Sequence, residues 1–305
     1  MAAPVVKFSA PDMSAIDSKK LVLGLLSNMP LEKASPFFLS LEKSGYRGDV
    51  CMIVSGIDLP TQAFLRARGV HLIPFQRDQL KPKWTFAAAW LGAFMRPSQR
   101  QVYESRLAST YMHPHTARHF FYQSYLQECS AAYSHVLLTD VRDVLFQADP
   151  FAFEKPDGLC VFLADRSKTI GTCNHNTNSM LRGFGPEALK ELRDKPIACA
   201  GTTLGTTAAI CDHLSKVTRL LCAKKQRESI DQSVHNFVIN KQPPARLNVF
   251  ENFSGPVLTM AYVDPARMRF DDHGRVINTD GRVINTLHQY DRHPQIIPKL
   301  LKALT

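Results

Sequence analysis

The residues best suited to chemistry in this 305-residue chain lie in the stretch LLTDVRDVLFQADP, residues 137–150. An apolar run ends there in two acids, Asp140 and Asp143, separated by two residues. If the run is a buried strand, both carboxylates reach the edge of its sheet. Oxygen ligands at that place suit a hard divalent cation that is itself bound to phosphate. Neither acid could be buried there without a partner except at high energetic cost. A plainer arrangement accounts for the spacing equally well: Asp140 caps the next turn, and Asp143 pairs with Arg142 or another base.

Two further stretches carry polar groups of the right kind. Residues 201–206 read as a loop whose backbone N–H groups and hydroxyls could approach a sugar or phosphate closely, because Gly201 removes the Cβ obstacle beside Thr202. A capped helix start is an equally good reading of the same residues. Asp231, followed by Gln232, could orient a hydroxyl, accept its proton, or cap its own helix.

The elements that must position these groups alternate between strand and helix. Residues 21–26 form a continuous apolar run of the kind found in buried parallel strands. Residues 36–41 supply the apolar positions of a following helix, 50–54 a second strand, 62–68 a short helix and 70–73 a third strand. This order predicts an α/β fold with a Rossmann-like, mostly parallel sheet flanked by helices. Residues 83–107 are helical in flavour but interrupted at Pro97. A helix over 119–133 then leads into a strand at 136–138, which delivers Thr139 and Asp140 to its C-terminal end, where open α/β sheets bind ligands.

The second half is less regular. Strands are expected at 159–163, 197–199, 247–250 and 257–260, with helices at 187–193, 206–221 and 231–239. Near the C-terminus GRVINT occurs twice, at 274–279 and 281–286, and Asp280-Gly281 between the copies predicts a type I′ hairpin in a small β region. The chain is thus expected to be a flexible leader, 1–19, followed by one domain, 20–305, whose halves divide at 150.

Composition narrows the class without choosing a function. Hydrophobic residues make up 45% and charged residues 21%, as in ordinary globular proteins. No export signal and no run of about 18 apolar residues is visible, and seven cysteines without a C-x-x-C pair fit reduced thiols, so a cytoplasmic location is expected. The net charge of +10 implies an anionic partner. The basic residues are dispersed and match no nucleic-acid motif, which leaves phosphorylated small molecules, or peripheral contact with the anionic inner face of a membrane.

The 137–150 stretch resembles the DxD region of nucleotide-sugar glycosyltransferases of the GT-A fold, with one residue more between the acids. The resemblance extends to residues 23–28, similar to the opening strand and nucleotide-contacting loop of such enzymes, and to residues 199–205 with Asp231, Gln232 and Asn236. It implies a GT-A domain that transfers a sugar from a nucleoside-diphosphate-sugar, UDP by default, to a hydroxyl acceptor, as in the synthesis of cell-surface polysaccharide or glycoconjugate. On this resemblance Asp140, Asp143 and a late histidine, His288, bind manganese or magnesium, and imidazole is a suitable ligand beside carboxylates. Ser27, Asn28, Arg118, Asp140, Gly201, Thr202, Tyr290 and Arg292 become donor-binding candidates, and Asp231 the catalytic candidate. Taken alone, Arg118 reads as an exposed arginine at a helix start, and His288 as a structural histidine.

Two rival functions fit less well. A phosphohydrolase or phosphotransferase with an aspartyl nucleophile wants its second acid one place earlier. A basic nucleic-acid- or lipid-binding protein is suggested by charge alone.

Overall fold

The computed structural model describes residues 19–75, 103, 107, 112–154, 156–224 and 228–304. The leader before Lys19, and the helical stretch expected over 83–107 apart from Tyr103 and Leu107, lie outside the described residues.

The first half follows the expected alternation. Strands Lys19–Ser27 (β1), Asp49–Ser55 (β2) and His71–Pro74 (β3) are joined by helices Leu31–Lys43 (α1) and Leu59–Arg66 (α2). Helix Pro114–Cys129 (α3) leads into strand Tyr133–Thr139 (β4). The apolar run of β1 is continuous because both of its faces are covered. Leu21, Leu23 and Leu25 pack against Tyr122, Tyr125 and Leu126 of α3, while Val22 and Leu26 pack with Phe37 and Phe38 of α1.

The central sheet is completed by Leu159–Leu163 (β6), Ala198–Thr206 (β7) and Leu247–Phe250 (β8), in the order β3-β2-β1-β4-β7-β6-β8. It is mostly parallel, with β7 antiparallel to both neighbours. Helices Asn174–Leu192 (α4), Thr207–Lys224 (α5) and Asp231–Lys241 (α6) belong to this half. The helix expected at 187–193 is the second part of α4, which is broken at Gly185 (φ +84°) just before Pro186. No described helix is long and apolar enough to cross a membrane.

The small β region expected near the C-terminus includes a three-stranded sheet that also takes in a strand after Asp143, which was not expected. This sheet consists of Val144–Phe146 (β5), Val257–Thr259 (β9) and Thr286–His288 (β12), with β12 in the middle, antiparallel to β5 and parallel to β9. β5 starts immediately after Asp143, so the segment between the two acids is the link between the sheets. Strands Arg269–Phe270 (β10) and Val276–Ile277 (β11) and the final helix Ile297–Leu304 (α7) complete this region.

The duplicated segment does fold back on itself, with Ile277 bridged to Val283, but not through a type I′ turn. That turn needs a left-handed Asp280, and Asp280 is not among the described residues with positive φ. The Gly281 amide instead donates to the Asn278 carbonyl (3.1 Å), and the Asn278 amide to the Arg282 carbonyl (2.8 Å), with Gly281 at φ +79°. This is a three-residue loop with glycine in the left-handed position. Gln147 ties both copies to the β5 strand: its amide donates to Val276 O (3.0 Å) and Ile284 O (2.8 Å) and accepts from Val276 N (2.7 Å).

Candidate metal centre

Three peptide segments meet where the two sheets join. β4 ends at Thr139 and presents Asp140, and the following turn presents Asp143. β12, entering from the other end of the chain, pairs His288 with Val144, so the imidazole arrives beside the carboxylate of the preceding residue. The Gln289 amide, on a left-handed residue (φ 59°), donates to the Asp143 carbonyl (2.7 Å) and locks that register. One ligand atom from each of Asp140, Asp143 and His288 lies within 4.8 Å of the others.

The distances within the trio leave room for an ion. His288 Nε2 lies 3.5 Å from Asp140 Oδ2 and 3.9 Å from Asp143 Oδ1. His288 is fully buried, and its Nε2 has no hydrogen-bond partner among the described residues. An orphaned buried nitrogen costs about 1–3 kcal/mol, and a cation would satisfy it. β7 supplies the space: a Cβ at Gly201 would fall 2.5 Å from Asp140 Oδ2 and 2.6 Å from His288 Nε2. The donor set, two carboxylates and one imidazole, suits manganese or magnesium.

The electrostatics fit the same conclusion. Burial opposes the charge on Asp140, but the Arg118 guanidinium and His288 outweigh it and hold the carboxyl well below the usual carboxylate range. Burial pushes Asp143 up, and Asp140 and Asp291 add to the rise against the opposing pull of His288. Burial disfavours a charged His288, yet Cys199 and the two carboxylates hold its value well above that of a free imidazole. The cluster favours positive charge at this point, as a cation site does.

Arg118 was expected as a donor contact, with an exposed helix-start arginine as the alternative; the exposed alternative does not hold. It is 4% exposed, with Nη1 on Asp140 and Nη2 3.4 Å from Asp231 Oδ2. Asp231 also accepts the Ser229 hydroxyl (2.5 Å); although burial raises its pKa, Arg118 and His119 bring it below the usual range. It makes no side-chain cap, in contrast to one of its expected readings. Asp143, by contrast, does pair with Arg142 (3.4 Å), which also reaches Asp291 (3.5 Å).

The expected loop at 201–206 is strand, and this is the main correction to the sequence reading. Gly201 and Thr202 lie inside β7, with Thr202 paired to Thr139 and fully buried. Against β6, however, the register shifts: Val161 pairs with Thr203 but Leu163 with Ala198. The backbone freed by this irregularity is taken up by α6 side chains. Gln232 Nε2 and Asn236 Nδ2 donate to Ala198 O (2.7 and 2.9 Å), Asn236 Oδ1 accepts from Ala198 N (2.9 Å), and Gln232 Oε1 from Ala200 N (3.0 Å). The Gly201 carbonyl meanwhile accepts the Asp140 amide (2.8 Å).

The remaining candidates sit around this centre. Ser27 and the left-handed Asn28 (φ 49°) end β1, the neighbour of β4 on the same sheet edge, with Asn28 exposed. Tyr290 is buried among the apolar residues of the C-terminal region, and Arg292 is half-exposed, 3.8 Å from Asp291. Sequence reasoning missed Asp291 and Cys199; the thiol lies 3.4 Å from His288 Nδ1. Neither gave a signal beyond standing in a stretch already singled out. Cys199 forms no disulfide.

No protein-family model matches the chain, and no curated protein matches it. Among solved structures, core-mannan synthase A (CmsA/Ktr4) from Aspergillus fumigatus, in its Mn/GDP form, matches at 12% identity with a TM-score of 0.45, covering 79% of this chain and 74% of that one.

Proposed function

We propose that the protein is a metal-dependent glycosyltransferase that uses a nucleoside-diphosphate-sugar, with UDP-sugars the first donors to test, and a hydroxyl group of a glycan or glycoconjugate as acceptor. The observation that carries this reading is the meeting of Asp140, Asp143 and the unpartnered Nε2 of His288 at the C-terminal edge of the central sheet. A ligand spanning that edge toward Ser27 and Asn28 would place a nucleoside beside β1 and its phosphates beside the acids.

A manganese or magnesium ion held there would neutralise the charge that develops on a departing nucleoside diphosphate. The chain's own groups prepare the place. Arg118 fixes the Asp140 carboxylate in one orientation and keeps it ionised. Arg142 and Arg292, both half-exposed, offer guanidiniums to phosphate oxygens at the rim. Gly201 leaves open the volume beneath the acids. Asp231, held ionised against Arg118, is a poor proton acceptor while that pair is intact, so its support for the reaction is through the guanidinium.

The test is a thermal-shift screen of UDP, GDP, CDP and ADP and their sugars, with and without Mn2+, followed by donor hydrolysis with the best binder. A metal-dependent shift for one nucleoside diphosphate, together with Mn2+-stimulated release of sugar, is the expected result. Stabilisation by no nucleotide, with salt-sensitive binding to RNA or anionic vesicles instead, would end the proposal in favour of a basic binding protein.

A further inference from the structure

The imidazole of His288 has two nitrogens, and only one faces the carboxylates. For Nε2 to offer its lone pair to a metal, the ring proton must sit on Nδ1, and in metal sites that choice is made by whatever partners the far nitrogen. A carboxylate or a backbone carbonyl usually does so. Here the partner at 3.4 Å is the thiol of Cys199, and both residues are buried (6% and 0% exposed), where water does not compete.

We infer that Cys199 is the positioning residue of the metal centre: its sulfur accepts a hydrogen bond from Nδ1–H of His288 and so leaves Nε2 as the nitrogen turned toward Asp140 and Asp143, to give its lone pair to a metal. The inference rests on the metal-centre reading of those three residues. It gives a reason for the irregularity in β7. The residues on either side of Cys199 are fastened to α6, Ala198 by Asn236 and Gln232 and Ala200 by Gln232, so the thiol is held on a clamped piece of backbone.

It also gives a reason for sulfur. Asp140 and Asp143 already lie 3.5 and 3.9 Å from His288 Nε2, and Asp291 shares Arg142 with Asp143. An aspartate at position 199 would add another negative charge to that group. A thiol accepts a hydrogen bond while remaining neutral, and it is polarisable enough to do so at this longer distance.

Two measurements on the full chain decide the matter. Long-range 1H–15N spectra of 15N-histidine-labelled, metal-free protein report the His288 ring, assigned by the loss of its signals in His288→Asn. The native protein is expected to show a slowly exchanging, hydrogen-bonded Nδ1–H that shifts in Cys199→Ala and is kept in Cys199→Ser. Mn2+ titrations followed by the paramagnetic resonance of the free ion are expected to show affinity about 10–100-fold weaker in Cys199→Ala, with Cys199→Ser closer to native.

A native ring with no proton on Nδ1 would overturn the inference, as would native Mn2+ affinity in Cys199→Ala. Equal weakening in Ala and Ser variants with the Nδ1 proton undisturbed would assign the thiol a packing role and overturn it as well. If the native protein binds no Mn2+ while the Nδ1–H signal shifts in Cys199→Ala, the thiol pairing stands and the metal reading alone fails.

Discussion

Gly201 lies against Asp140: its carbonyl accepts the Asp140 amide at 2.8 Å, and a Cβ built on it would stand 2.5 Å from that residue's Oδ2. The backbone conformation of Gly201 does not itself demand glycine, since it is not among the positive-φ glycines. The requirement is for space at the carboxylate.

Gly201→Ala therefore tests the volume of the centre without straining the strand. The methyl group must displace Asp140 or His288, at a cost of about 1–3 kcal/mol from overpacking. The expected result is a folded protein with a slightly lower melting temperature and Mn2+ affinity reduced at least about tenfold, in the range of disturbed ligand shells. Calorimetric titration checks it, and native affinity in this variant would mean that the ion sits elsewhere.

Asp143→Asn separates metal binding from folding. Asp143 is buried with Asp140 and Asp291 as like-charged neighbours, which the buried His288 and the half-exposed Arg142 oppose. Removing its charge relieves that repulsion. The metal-free variant should melt no lower than the native protein at pH 7, whereas only the native protein should gain stability on addition of Mn2+. Metal-stimulated donor hydrolysis should vanish; full activity in the variant would remove Asp143 from the centre.

Arg118→Lys should be costly in a way that its conservative appearance hides. The guanidinium serves two carboxylates from a site 4% exposed, and a lysine ammonium cannot reproduce a fork that reaches both. Leaving a buried acid without its partner costs about 3–5 kcal/mol. Urea denaturation should show a loss of that size for Arg118→Met and a smaller one for Arg118→Lys. An unchanged midpoint in both would show that the pair contributes nothing net.

How much of this was legible beforehand differs by element. β1 and β4 were readable because each is a continuous apolar run buried on both faces, and Asp140 at the end of β4 followed from that. β7 was not. Its C-A-G-T-T-L-G sequence carries the small residues and glycines that ordinarily weaken a strand; it is one through its pairing with β4 and β6, while Gln232 and Asn236, more than thirty residues later in the chain, satisfy the backbone at Ala198 and Ala200. β9 matches the strand expected at 257–260, but β5 and β12 are three residues each, too short for an alternation to register. The pairing of His288 with Val144 spans nearly half of the chain, so nothing local could announce that the imidazole would sit beside Asp143 or that Cys199 would sit behind it.

A last prediction concerns pH. His119 on α3, His213 on α5 and His235 on α6 are buried together, with His235 Nδ1 3.2 Å from His213 Nε2 and the other ring nitrogens without partners among the described residues. Burial is the main cause of their lowered values, with His213 brought down to about 4, His119 to about 3, and His235 well below the usual value. Arg118 and Lys216 push in the same direction, Arg118 on His119 and His235, and Lys216 on His213. Asp231 and Asp140 oppose the fall at His119, as Asp212 does at His213. Because the folded values lie below the unfolded one of about 6.5, these residues bind protons more readily in the unfolded chain. Their contribution to stability is therefore complete above pH 6.5 and is lost as the pH falls toward the folded values. Denaturation midpoints measured between pH 7.5 and 5 should decline for the native protein. In His213→Gln/His235→Gln the decline should be shallower, by at most about 1.4 kcal/mol per pH unit for each histidine removed. Parallel slopes in the two proteins would mean that the histidines are already charged, or solvated, in the folded state.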